Sequence, residues 1–229
     1  MKVVILAGGF GTRLSEYTRT IPKPMISICG KPIITYIIKH YEKFGFREFI
    51  IATGYKKNII NQYFKKHRTN SNIKTIYTGL KTMTGGRIKR LKSLIGGETF
   101  LMTYGDGISN PNLSKLIKLH FKNKNIATLT AVRPPARFGA IKLNLNKVTY
   151  FKEKSHLDTG WINGGFFVFS PEIFKYLKND NTILERTPMQ VISKKKKLGA
   201  YKHSGFWQCM DTLRDKEILE KLIKKNKNL

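Results

Sequence analysis

The sequence predicts an α/β fold: a mixed, mainly parallel sheet covered by helices, followed by a smaller sheet-rich lobe. Three observations predict it. A short apolar run, Val3-Val4-Ile5-Leu6-Ala7, passes straight into a glycine-rich turn. Strand-like and helix-like segments then alternate up to residue 133, the rhythm of βαβ units. After Pro134-Pro135 the pattern changes to short strands joined by turn residues, which suggests a more antiparallel part.

Each element follows from its own pattern. Residues 2–6 are apolar throughout, as a strand covered on both faces must be. Pro32 suits a first helical turn and opens a helix to about residue 44, with Ile33, Ile34, Ile37, Ile38 and Tyr41 on one face. Residues 47–52 read as a strand and 56–64 as a helix with Ile59, Ile60 and Tyr63 inward. A strand is expected over 73–77, then Gly85-Gly86-Arg87 leading into a short helix to about 94. Residues 98–103 form a strand ending at Tyr104-Gly105-Asp106-Gly107, 112–121 a helix and 126–132 a strand. In the second half, strands are expected at 140–143, 148–151 and 162–169, helices at 172–176 and about 183–195, and a last strand at 200–203. A helix from 212 to about 225 closes the chain. No segment looks like a flexible linker, so 1–229 reads as a single domain: a core (1–133), a lobe that closes over the site (134–211) and a C-terminal helix (212–229).

Composition narrows the function. At 229 residues the chain is long enough to bury a substantial core. No apolar run approaches a membrane span, and the apolar stretch at the N-terminus is too short for a signal peptide, so a cytoplasmic protein is expected. The two cysteines, Cys29 and Cys209, lie far apart and fit neither a zinc site nor a disulfide framework. The formal net charge of +29 raises the question of nucleic acid. The excess is mostly lysine, accompanied by much isoleucine and asparagine, a bias that A/T-rich codons produce. The lysine pairs and runs at 56–57, 65–66, 194–197 and 224–225 are scattered over helix faces and tails without interleaved aromatics. Nonspecific adhesion to anions is expected, and no specific nucleic-acid partner.

The glycine loop carries the first chemistry. In Leu6-Ala7-Gly8-Gly9-Phe10-Gly11-Thr12-Arg13 the bare backbone lets N–H groups approach phosphate oxygens. Arg13 supplies a planar fork and Lys23, in Pro22-Lys23-Pro24, a point charge. A Walker A loop is excluded because Gly11-Thr12-Arg13 replaces Gly-Lys-Ser/Thr, and a dinucleotide fingerprint because Leu14 stands where a third glycine belongs. Of the five aspartates, Asp106 stands between two glycines at a strand end, and Asp211 follows Phe206-Trp207-Gln208-Cys209-Met210. Together they suit one Mg²⁺, which is held by one or two carboxylates plus substrate phosphates. For Asp211 alone, an N-cap of the last helix is the competing reading. Asn163-Gly164-Gly165 offers an amide to sugar hydroxyls, or else marks a β-bulge.

Taken together, these segments resemble the sugar-phosphate nucleotidyltransferases. The likeness runs from residue 5 to residue 216, through Pro-Lys-Pro-Met, Gly-Lys-Pro-Ile, Met-Thr-Gly-Gly-Arg, Tyr-Gly-Asp-Gly, Arg-Phe-Gly-Ala, Ile-Asn-Gly-Gly-Phe-Phe-Val and Gly-Phe-Trp-Gln-Cys-Met-Asp-Thr-Leu-Arg-Asp-Lys. Residues 83–87 and 205–216 narrow it to the members that use CTP and glucose 1-phosphate. The resemblance implies a Rossmann-like, glycosyltransferase-A-like fold and Mg²⁺ as cofactor. The expected reaction is attack of glucose 1-phosphate on the α-phosphorus of CTP, giving CDP-glucose for a cell-surface polysaccharide. Leu6, Ala7, Gly8, Gly9, Gly11, Thr12, Arg13, Lys23, Thr82, Arg87 and Gly105 fall on nucleotide-binding positions. Asp106 and Asp211 fall on the metal positions, and Lys154, Glu153, Asn163 and Gly139 on sugar-phosphate positions. Arg13, Lys23, Asp106 and Asp211 are the expected catalytic set. A homo-oligomer is also implied. Two departures stand out: Ser155 replaces a usual proline, and residues 65–81 bridge a longer excursion of the family. The alternatives are a relative using dTTP, UTP or another sugar phosphate, a nucleotide sensor without turnover, and a basic nucleic-acid-binding protein.

Overall fold

The computed structural model describes residues 1–67, 69–135, 140–152 and 160–226. Strand β1 (Val3–Ala7) is buried along its whole length. It is followed by a 3-10 turn (Thr12–Leu14), the short helix α1 (Ser15–Thr18) and a second 3-10 turn, Lys23–Met25. The tight hairpin β2 (Ser27–Ile28) and β3 (Lys31–Pro32) leads into α2 (Ile33–Glu42). Next come β4 (Glu48–Thr53), α3 (Lys57–Lys66), β5 (Asn72–Tyr77), α4 (Thr84–Arg90) and α5 (Lys92–Ile95). Then follow β6 (Phe100–Tyr104), β7 (Gly107–Ser109), α6 (Leu113–Lys122) and β8 (Ala127–Val132). The second half holds β9 (Ala140–Asn144), β10 (Lys147–Lys152), β11 (Ile162–Phe169), α7 (Thr187–Lys194), β12 (Leu198–His203), β13 (Trp207–Cys209) and α8 (Leu213–Lys225).

Seven strands make one sheet in the order β12-β8-β11-β6-β1-β4-β5. All neighbours are parallel except β11, which runs antiparallel to both β8 and β6. Alternation along β1 divides the core. Val3, Ile5 and Ala7 pack with Ile34, Ile37 and Tyr41 of α2 and Leu116 of α6 on one face. Val4 and Leu6 pack with Ile88, Leu91 and Ile192 on the other. A third apolar cluster, Leu14, Ile26, Ile28, Ile33, Ile108, Met210 and Leu219, lies under α8 and beneath the site.

The structure refines the sequence reading in three places. Within 134–211 the strands divide between two sheets. β9 and β10 form a separate antiparallel hairpin, whereas β11 and β12 return to the main sheet. The helix expected after Gly86 already starts at Thr84. Its glycines are needed for space: a Cβ on Gly86 would come 2.5 Å from Asp180 O and one on Gly85 2.9 Å from Thr182 O. The helix expected from 183 starts only at Thr187, with Pro188 in its first turn. The Leu184 N–H donates instead to Thr84 Oγ1 at 2.9 Å. Among the described residues, no helix is long and apolar enough to cross a membrane.

Candidate active site

The glycine loop leaves β1 at the carboxyl ends of the parallel strands, where such sheets bind ligands. It is held from behind by Arg87. That guanidinium is buried, and it donates to Gly8 O, Gly79 O and Thr78 Oγ1 at 2.8 Å each and to Thr53 O at 3.2 Å. Burial pulls the Arg87 pKa below the usual arginine value. Gly8 O also accepts from the Tyr55 N–H at 3.2 Å. Because a trans peptide sets C=O and N–H on opposite sides, drawing Gly8 O back aims the Gly9 N–H the other way. At Gly11 the backbone needs glycine itself: φ is +67°, and a Cβ would meet Thr18 Cγ2 at 2.8 Å.

The loop borders a cleft of about 260 Å³ lined by Leu6, Ala7, Gly8, Gly9, Gly11, Thr12, Arg13, Lys23, Pro24, Thr84, Tyr104, Gly105 and Asp106. At its mouth two carboxylates meet. Asp106 and Asp211 are far apart in sequence, and the ribbon of β7 and β13 joins them. Cys209 pairs with Gly107, and the Met210 N–H donates to Asp106 O at 2.9 Å. Ile26, Ile108 and Met210 are buried in the cluster below, which anchors the segments that carry Lys23, Asp106 and Asp211. Lys23 Nζ lies 2.8 Å from Asp106 Oδ2 and 2.7 Å from Asp211 Oδ1. Arg13 Nη1 lies 2.7 Å from Asp211 Oδ2 on an arm that is 71% exposed. Burial pulls the Lys23 pKa down, but the charges and hydrogen bonds of Asp106 and Asp211 outweigh it and hold it above the usual lysine value.

Asp211 does not cap the last helix. Thr212 does, accepting from the Asp215 N–H at 3.2 Å, while Asp215 Oδ2 accepts from the N–H groups of Thr212 (2.9 Å) and Asp211 (3.1 Å). This capping box leaves the Asp211 side chain to the cations. Cys209 lies beside it, and burial plus the charges of Asp211, Asp215 and Asp106 push its thiol up to about 11, so it is no thiolate nucleophile at neutral pH.

The sequence-predicted residues thus divide into groups. The loop, Arg13, Lys23, Gly105, Asp106 and Asp211 converge. Thr82 and Arg87 are both buried, and neither lines the cleft; Arg87 acts on the loop from behind. Asn163 sits at a register shift of β11, its Oδ1 accepting from the Gly165 N–H at 2.9 Å and its amide nitrogen 3.5 Å from Tyr104 Oη. Gly139, Glu153 and Lys154 lie outside the described residues. The sequence reading missed a polar cluster on the cleft wall. Glu185 accepts from Thr84 Oγ1 at 2.7 Å and from the Tyr104 hydroxyl. Its one sequence signal was Tyr104 beside Gly105-Asp106; nothing marked Glu185.

The convergence of two carboxylates on one ammonium tests whether a divalent metal fits. The oxygens are hard donors, and the ammonium stands in for a cation at their meeting point. Among the described residues no three His, Cys, Asp or Glu side chains group as metal ligands, so water and phosphate oxygens would complete the shell.

A glycine loop at the ends of parallel strands thus opens beside converging cations and carboxylates. The chain belongs to the nucleotidyl transferase family, whose model matches residues 2–214. It is 42% identical to the glucose-1-phosphate cytidylyltransferase of Salmonella typhimurium, over 99% of this chain and 97% of that one. It is 34% identical to the D-glycero-alpha-D-manno-heptose 1-phosphate guanylyltransferase of Campylobacter jejuni, with 81% of each chain covered. The crystal structure of HddC from Yersinia pseudotuberculosis superposes with a TM-score of 0.77 at 26% identity, over 97% of this chain and 99% of that one.

Proposed function

We propose that this protein transfers a cytidylyl group from CTP to glucose 1-phosphate, releasing pyrophosphate and forming CDP-glucose. The observation that carries the reading is the meeting of Lys23, Asp106 and Asp211 beside the glycine loop, with Arg13 over them. The base and sugar rest on the likeness to the Salmonella typhimurium enzyme.

An oxygen of the sugar phosphate attacks the α-phosphorus, one P–O bond forms and the α–β bridging P–O bond breaks. The nucleophile is already an anion, so no protein base is required. The difficulty is bringing two polyanions together, and the chain meets it with position and charge. The loop amides cradle the phosphates, Arg13 neutralises the leaving pyrophosphate, and Lys23 neutralises charge at the α-phosphate. Asp106 and Asp211 would hold a divalent ion, Mg²⁺ in this proposal, which when bound supplies further charge neutralisation. Lys154, Glu153, Asn163 and Gly139 are proposed for the sugar phosphate. Asp106→Asn or Lys23→Ala lowers turnover by about 100-fold or more. A folded variant with the wild-type rate would sink the assignment.

A further inference from the structure

The Lys23 ammonium lies between the two carboxylates, while the other oxygen of Asp211 meets Arg13. Its contacts to Asp106 Oδ2 and Asp211 Oδ1 are 2.8 and 2.7 Å, and its side chain is only 10% exposed. Its backbone is fixed, with Pro22 and Pro24 on either side and the Met25 N–H closing the turn onto Pro22 O at 2.8 Å, so any movement of the ammonium is made by the side chain alone. A Mg²⁺ or Mn²⁺ ion bound to the same two oxygens sits about 2.1 Å from each, within the space of that ammonium. A monovalent and a divalent cation cannot share so small a volume, because their repulsion adds to the clash.

We propose that Lys23 is a tethered counter-ion that keeps divalent metal off the carboxylate pair until a nucleotide arrives. The triphosphate offers the ammonium a more negative partner a short distance away in the same cleft. Lys23 then moves from the carboxylates to the phosphates, and the vacated oxygens take the ion that came with the nucleotide. One side chain would thus serve as placeholder and then as phosphate ligand, making metal and nucleotide entry mutually dependent. This rests on the reading of Asp106 and Asp211 as the metal pair.

Mn²⁺ binding, read directly by the electron paramagnetic resonance of the free ion, tests it without turnover. Every titration with a non-hydrolysable CTP analogue is read against the analogue alone, which takes up Mn²⁺ through its phosphates; wild type should bind Mn²⁺ weakly alone and, beyond that reference, much more tightly with the analogue. Lys23→Met and Lys23→Gln, the second still able to hydrogen-bond the carboxylates, should each bind Mn²⁺ about tenfold or more tightly in the absence of nucleotide. The enhancement by the analogue should shrink in both. Equal or weaker metal binding in the two folded variants overturns the proposal. Asp106→Asn separates the two failures. If it abolishes Mn²⁺ binding in the nucleotide complex while the Lys23 variants bind like wild type, the metal pair stands and the placeholder falls. If it leaves Mn²⁺ binding unchanged, the pair itself is wrong and the placeholder goes with it.

Discussion

Replacing Gly8 by alanine places a Cβ 2.2 Å from Arg87 Nη1 and 2.4 Å from its Cζ. The Gly8 backbone is outside the left-handed region, so alanine is not strained there; the whole penalty comes from the guanidinium. Arg87 is pinned by four acceptors at 2.8 to 3.2 Å, and it cannot yield without losing Gly8 O and loosening the rest. A buried hydrogen bond to a charged group contributes roughly 1.5–3 kcal/mol. Gly8→Ala should therefore cost about 2–3 kcal/mol. Arg87→Ala should cost about 3–5 kcal/mol, since it leaves several carbonyls unpaired. In the double variant the alanine at 8 meets the space Arg87 left, so the second substitution should cost little and the coupling should reach about 2 kcal/mol. Urea unfolding of the four proteins, followed by tryptophan fluorescence, measures the cycle. Additive costs would refute the view that Gly8 is glycine because of Arg87.

Other predictions follow from the same geometry. His40 is buried with its ring nitrogen 3.0 Å from Pro111 O, and His120 is buried between Thr128 and Ser170. Burial lowers both to about 4. The unfolded imidazoles take up protons as pH falls through 6.5 while the folded ones stay neutral, so their contribution is intact above pH 6.5 and lost between 6.5 and 4. Each should cost about 2 kcal/mol at pH 5, and unchanged urea midpoints between pH 7 and 5 would contradict this. Glu185→Ala releases Thr84 and Tyr104 on the cleft wall, so it should raise KM several-fold with a smaller loss of kcat, and Glu185→Gln should restore most of the difference. Thr212→Ala removes the cap beside Asp211 and should cost about 1 kcal/mol in thermal or urea unfolding.

Much of this was legible because the signals were local. The apolar run of β1, the isoleucine face of α2 and the glycine loop each declare themselves within a few residues, and Asp106 is marked by its flanking glycines. What the sequence hid was long-range. β7 and β13 are three residues each and too short to show a period, yet their pairing brings Asp106 and Asp211 together. Gly85 and Gly86 read as lying just ahead of the helix rather than inside it, because nothing local reveals that the backbone of 180–182 packs against them. Asp211 as a cap was a fair competitor until Thr212 and Asp215 proved to fill that role. β11 reads with the short strands of the second half because turn residues flank it; it runs antiparallel as expected, but inside the main sheet, with its phenylalanines buried between β8 and β6.

The most direct test is pyrophosphate release with glucose 1-phosphate and Mg²⁺, comparing CTP, UTP, dTTP, ATP and GTP in parallel. Release with CTP far above the other four, with CDP-glucose as the coupled product, is the predicted result. Release with another nucleotide would contradict the cytidylyl assignment, and no release with any of the five would contradict the proposed reaction with glucose 1-phosphate.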